Sequence, residues 1–251
     1  MNPLCLRSVR LAGDCPADDY AFRLPAVRAL RRGLTFTRPV TFFCGENGTG
    51  KSTILEGLAV AAGCNPEGGG RNFHFSTAAT HAGLYRALQL TRGPKRERDC
   101  FFLRAESFYN VATEVQRLDG IPGAGPALTD AYGGRSLHAQ SHGESFLSLV
   151  LNRFGGQGLY FLDEPEAALS AARQLTLLTA LHRLCRQGSQ FFIATHSPIL
   201  LAYPGADIFV LDERGLTPTR YEDTDPYRVT KAFLDCPARM LNELWEEPED
   251  V

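Results

Sequence analysis

Residues 39–52 read PVTFFCGENGTGKS, and this stretch decides the fold. The run 39–44 (PVTFFC) is apolar without alternation, the pattern of a strand covered on both faces. Residues 45–52 (GENGTGKS) match GxxxxGK[ST]. From Lys51, the positions Ile54, Leu55, Leu58, Ala59 and Ala62 keep helical spacing until Gly63 supplies a stop. The motif therefore lies between a buried strand and a helix, where it has mechanical meaning. Gly45, Gly48 and Gly50 let successive N–H groups turn inward, and the helix start adds its positive dipole end. Lys51 would reach the β- and γ-phosphates of a nucleotide, and the Ser52 hydroxyl would ligate Mg²⁺. Glu46, Asn47, Thr49 and Thr53 complete the set expected against the nucleotide.

A magnesium-bound triphosphate needs a second carboxylate anchor and a group that positions water. Residues 159–166 (LYFLDEPE) offer both where a buried strand ends. Asp163 is expected to hold Mg²⁺, directly or through water, and Glu164 to orient or deprotonate the attacking water. Thirty-two residues after Glu164, the strand-like run 190–194 (QFFIA) leads into Thr195-His196-Ser197. That puts His196 at the carboxyl end of a neighbouring strand, placed to sense a γ-phosphate.

Around these motifs the pattern is βαβ. Residues 4–11 and 100–105 read as strands, 144–153 as a helix, 159–163 as a strand and 171–187 as a helix through Leu175, Leu178, Leu181 and Cys185. Residues 207–212 and 216–220 read as strands across the Arg214-Gly215 turn, and 226–246 as one or two closing helices. The stretches 63–72 and 119–136 are rich in Gly or Pro and read as loop. The expected fold is α/β, a mainly parallel sheet flanked by helices. No internal repeat or low-complexity tract is visible.

The chain has 251 residues, 44% hydrophobic and 22% charged, with a formal net charge of −2. Collagen-like, disordered and coiled-coil classes fit this composition poorly, and no global positive field draws the chain to polyanions. The seven cysteines are scattered and contain no CxxC pair, which argues against a disulfide framework or a zinc site and points to a reducing compartment. No stretch approaches the ~20 apolar residues of a spanning helix, and 1–19 lacks a signal-peptide core. A cytoplasmic location without membrane insertion is expected.

With these motifs in hand, the chain resembles the ABC-type P-loop ATPases, and among them the compact RecF- and SMC-like heads. The resemblance spans nearly the whole chain and implies a single domain over 1–251, with a reduced helical and loop subdomain over about 107–145 that carries the signature. Ser141-His142-Gly143-Glu144-Ser145 stands 22 residues ahead of Asp163, where that family carries its signature. It implies that Ser141 and Gly143 contact a γ-phosphate held by a second subunit. Ser141 with Glu144 also reads as a helix capping box, compatible with that role. Glu106, in 103–108 (LRAESF), stands where the family has a glutamine touching Mg²⁺ or water. Ala168-Leu169-Ser170 has a serine where an aspartate is usual.

The resemblance implies Mg²⁺-dependent ATP binding and hydrolysis with nucleotide-dependent homodimerisation, acting on a nucleic acid or protein partner. Two other readings stay open: a non-hydrolytic ATP-gated switch, and the ATP-binding subunit of a transporter. The latter is disfavoured by the absence of an LSGGQ-type signature and of an aromatic A-loop residue. No heptad run lies between Lys51 and Asp163, so no coiled-coil arm is expected there. Two basic clusters, Arg28, Arg31 and Arg32, and Arg92, Lys95, Arg96 and Arg98, could meet phosphate backbone or could be solvated loops. Arg71, beside a glycine run, could approach the nucleotide.

Overall fold

The computed structural model describes residues 3–16, 18–65, 69–70, 83–104 and 142–245. The chain opens with β1 (Leu6–Leu11), a 3₁₀ turn (Tyr20–Arg23), α1 (Pro25–Ala29), a second 3₁₀ turn (Leu30–Arg32) and β2 (Leu34–Thr35). There follow β3 (Val40–Cys44), α2 (Lys51–Ala62), β4 (Gly69–Gly70), α3 (Leu84–Ala87), β5 (Leu88–Arg92) and β6 (Asp99–Arg104). Next come α4 (His142–Ser148), which runs into a π-helical turn (Leu149–Arg153), β7 (Gly158–Asp163), α5 (Ala171–Arg186), β8 (Gln190–Ala194) and α6 (Pro198–Leu201). The chain continues through β9 (Asp207–Asp212), β10 (Gly215–Pro218), α7 (Asp225–Asp235) and α8 (Pro237–Trp245). None of the described helices is long and apolar enough to cross a membrane.

The main sheet has the order β10-β9-β3-β8-β7-β6-β4. Its five inner strands, β9 to β6, run parallel, so β3, β7 and β8 all deliver their carboxyl ends to one edge. Strand alternation divides the apolar residues between the two faces. Phe42, Phe101, Tyr160, Phe191 and Ile193 pack against α4 and α5. Phe43, Phe102, Phe161, Phe192 and Phe209 pack against Ile54, Leu55 and Leu58 of α2 and against Leu6, Val9 and Leu11 of β1. Both faces are covered, which is why these strands read as continuous apolar runs. The α/β fold with a mainly parallel sheet is thus as the sequence leads one to expect.

A second sheet, β2-β1-β5, is wholly antiparallel, and of its strands the sequence pattern revealed only β1. The short β2 and the moderately exposed β5 carry too little apolar signal to stand out. The Gln190 side chain joins the two sheets: its Oε1 accepts from Leu6 N and its Nε2 donates to Leu6 O, each at 2.9 Å. A buried amide thus takes the place of a ladder partner.

Three further expectations are corrected. Cys64 and Cys100 form a disulfide, with Cα atoms 6.0 Å apart. They are 36 residues apart in sequence, and only the packing of the end of α2 against β6 brings them together. Within α5 the buried face is Gln174, Leu177, Ala180, Leu181 and Leu184, whereas Leu175 is 57% exposed. Leu181 is buried, and Leu178 and Cys185 pack partly buried against the core as the spacing implies, while polar Gln174 turns inside beside them through its bonds to Leu169 O and Ser197. The loop expected over 63–72 contains the short strand β4. Glu106, Ser141, Arg71 and most of the 107–145 subdomain lie outside the described residues.

Candidate functional site

The phosphate-loop motif spans the turn from β3 to α2. Gly45 has φ +145°, and a Cβ there would stand 2.2 Å from Leu211 O, so β9 crosses too close for any side chain. Left-handed Gly50 is the N-cap of α2, and no side chain caps this helix start. Its first N–H groups are thus not taken by a capping side chain, which favours an anion there. Lys51 is 4% exposed, and its Nζ donates to Gly45 O at 3.0 Å and Glu46 O at 3.1 Å. Burial pulls the Lys51 ammonium below the usual lysine range, while Glu164 and Asp163 pull it back up. The ammonium is therefore bent onto its own loop and has to leave these carbonyls to meet a phosphate. Thr49 closes the loop, donating from its hydroxyl to Glu46 O at 2.8 Å.

The acidic strand end comes to the same place. Asp163, at the end of β7, accepts from the Ser52 hydroxyl at 2.9 Å on Oδ1, across 111 residues of sequence. The two residues expected to hold the metal are thus in contact. Asp163 Oδ2 accepts from Arg104 Nε at 2.9 Å, and Arg104 Nη2 donates to Glu56 Oε2 at 2.9 Å. Burial pushes the Asp163 carboxyl up, against the opposing pull of Arg104 and Ser52. Burial alone would lower the Arg104 guanidinium, but the carboxylates of Asp163 and Glu56 raise it.

Glu164 follows with φ +47° and ψ +54°, one of two non-glycine residues with positive φ among those described. Such a conformation costs on the order of 1–3 kcal/mol and persists where the surroundings impose it. Here they do: Glu164 N donates to Ala194 O at 3.0 Å, and Pro165 opens a 3₁₀ turn immediately afterwards. The result turns the Glu164 side chain out of the sheet edge, 40% exposed, with Oε1 3.6 Å from His196 Nε2. His196 Nε2 is buried and lacks a hydrogen-bond partner. The Thr195-His196-Ser197 turn is held from beneath by Glu166, whose Oε1 accepts from Thr195 Oγ1 at 2.7 Å and from His196 N.

Glu56, Arg104 and Glu166 were not singled out in the sequence. Glu56 lies four residues after Ser52 and so on the same helix face, a signal that could have found it. Arg104 and Glu166 have no local signal, because strand register and a turn contact place them.

The signature region is described in part. A Cβ on Gly143 would stand 2.5 Å from Ala168 O and 2.7 Å from Arg173 Nη1, so close packing within the chain already requires glycine there. Glu144 is engaged by Arg173 at 3.0 Å. Ser170 is the N-cap of α5, accepting from Arg173 N at 3.4 Å. Of the basic clusters, Arg92 is occupied structurally: it grips Glu97 at 2.8 Å and Ala62 O at 3.1 Å.

The residues present fit a magnesium nucleotide: an uncapped helix start on a glycine loop, a hydroxyl and a carboxylate already together, and an unpartnered buried imidazole nitrogen facing Glu164. A cavity of about 740 Å³ opens beside the loop, lined by Glu46, Asn47, Thr49, Asp212, Arg214 and Arg228 among others.

Two family matches fall on this geometry. Residues 29–97 match an "AAA domain" family, and residues 140–202 match "AAA domain, putative AbiEii toxin, Type IV TA system". The chain is 32% identical over 81 residues to an "uncharacterized ABC transporter ATP-binding protein" of Haemophilus influenzae, covering 32% of this chain and 31% of that one. The chain thus spans about a third of that relative's length. Among solved structures it is similar to the SMC head domain from Thermotoga maritima, with 13% identity, 86% of this chain and 100% of that one covered, and a TM-score of 0.44. It is also similar to cbiO1 from Clostridium perfringens, part of the ABC transporter complex cbiONQ, with 17% identity, 86% and 90% covered, and a TM-score of 0.40. The two family matches bracket the two halves of one site, the phosphate loop and the acidic strand end with its histidine, and in both halves the chain is similar to P-loop ATPase domains of the AAA and ABC type.

Proposed function

We propose that this chain binds ATP with Mg²⁺ and hydrolyses it, with Lys51 on the phosphates, Ser52 and Asp163 holding the metal, Glu164 as general base and His196 at the γ-phosphate. The observation that carries this reading is the Ser52–Asp163 contact beside a strained Glu164 that faces His196. When bound, the metal would neutralise charge on the phosphates. Lys51 leaves the carbonyls of Gly45 and Glu46 and adds its charge to theirs. Glu164, turned out of the sheet edge, accepts the proton of the attacking water. His196 Nε2 meets the transferred phosphoryl group, and Glu166 keeps the imidazole in place through the backbone. Catalysis then rests on positioning and preorganised charge.

The same reading includes head-to-tail homodimerisation around two nucleotides, with Ser141 and the start of α4 completing the partner's site, and one ATPase domain over the whole chain. It also includes Glu106 beside the metal and coupling of turnover to a nucleic acid or protein partner. In support of a polyanionic partner, residues 3–38 and 83–98 hold twelve Lys and Arg against four Asp and Glu. The test is light scattering on Glu164→Gln with and without Mg-ATP, together with phosphate release. Turnover should fall at least about a hundredfold, about 2.7 kcal/mol of barrier, while ATP binding persists and mass shifts to a dimer. Unchanged turnover would remove Glu164 from the base role, and a mass that stays monomeric would remove the homodimer.

A further inference from the structure

Arg104, Asp163, Ser52 and Glu56 form a closed ring. Ser52 and Glu56 stand one turn apart on α2, and Arg104 and Asp163 are register partners on neighbouring parallel strands. Ser52 takes one oxygen of Asp163 and Arg104 takes the other, while the second arm of the guanidinium rests on Glu56. Both oxygens of the carboxylate expected to hold the metal are therefore engaged by the chain itself. Asp163 is 4% and Glu56 15% exposed, so two carboxylates with little access to water share one cation. Phe102 lies beneath that cation, its ring centroid 5.4 Å from the guanidinium carbon, a second support independent of Asp163.

We propose that Arg104 is the stand-in cation of the metal site: it holds Asp163 and Glu56 in place, weakens divalent-ion binding before nucleotide arrives, and releases Asp163 while staying on Glu56 and Phe102 when metal and nucleotide enter together. The inference rests on the nucleotide reading above for the last of these steps, and on the ring alone for the first two. With Arg104 in place the three side chains carry one net negative charge; without it they carry two, and a divalent ion is drawn in unaided. The phosphates of a nucleotide supply the missing negative charge, so the ion and nucleotide load as a unit. Arg104 is in this sense a positioning residue.

The test is a Mn²⁺ titration followed by electron paramagnetic resonance on the full chain, without nucleotide and with a non-hydrolysable ATP analogue. Arg104→Gln should bind nucleotide-free Mn²⁺ at least about tenfold more tightly than the parent chain, and this advantage should shrink to within about threefold when the analogue is present. Arg104→Lys should restore most of the parent behaviour, which a purely structural ion pair does not require. Equal nucleotide-free Mn²⁺ affinity in folded Arg104→Gln and the parent would overturn the proposal. Should Arg104→Gln not fold, Glu56→Gln serves instead. Removing the resting partner should weaken Mn²⁺ binding in the presence of the analogue about fivefold, and no change there would equally overturn it. Binding of a fluorescent ATP analogue in the presence of Mg²⁺ is measured alongside. Its absence from the parent chain would sink the nucleotide reading and leave the nucleotide-free comparison to decide the role of Arg104.

Discussion

The phosphate loop and the acidic end of β7 meet in one site but are built in different ways. The loop is a single run of eight residues whose backbone path follows from glycines, a strand before it and a helix after it. The acidic end depends on contacts between residues 59 and 111 positions apart, Arg104 to Asp163 and Ser52 to Asp163. The first is local chemistry that a sequence spells out. The second exists only once five parallel strands have found their register. A change in the loop before Ser52 should therefore damage binding and leave the fold standing, whereas a change in the ring, Ser52 included, should damage both.

Lys51→Ala offers the sharpest break between the two. Nucleotide affinity should fall at least about a hundredfold, about 2.7 kcal/mol, while urea denaturation shows little loss of stability, since the side chain bonds only its own loop. A large drop in stability would mean that the loop, like the ring, is part of the fold's framework. Arg104→Ala should cost about 2 kcal/mol, below the full value for a buried pair because the guanidinium is 27% exposed. For a chain of this size that is a fall in Tm of roughly 4–8 °C. Ser52→Ala removes one link of the ring and should cost about 1 kcal/mol by the same denaturation.

Glu164→Gly probes the junction between the regions and should have the smallest effect, of opposite sign. It relieves a left-handed backbone, so stability should rise by up to about 1 kcal/mol while phosphate release is lost. If stability falls instead, the side chain contributes more to the fold than its exposure suggests.

Much of the main sheet was legible because its strands are long apolar runs that only a two-sided cover explains. Val40–Cys44, Gln190–Ala194 and the α2 stop at Gly63 fall where the pattern put them. The antiparallel sheet was mostly hidden, since Leu34–Thr35 is two residues long and β5 is only moderately buried. The burial of Gln174 in place of Leu175 on α5 was hidden for another reason: a buried glutamine that satisfies its amide locally reads as a surface residue. The Cys64–Cys100 bridge could not be read from spacing at all, because it depends on how the end of α2 packs over β6.

By itself, the amino-acid sequence determined the α/β class, the strand–loop–helix that carries the GxxxxGK[ST] motif, and the candidate site residues Lys51, Ser52, Asp163, Glu164 and His196, because each follows from local periodicity or from residues adjacent in the chain. Only the tertiary structure decided that Ser52 touches Asp163, that Arg104 and Glu56 close a ring around that carboxylate, and that Glu166 holds the His196 turn. Those contacts are set by strand register and by the docking of α2 on the sheet, and neither is encoded in any short stretch of residues.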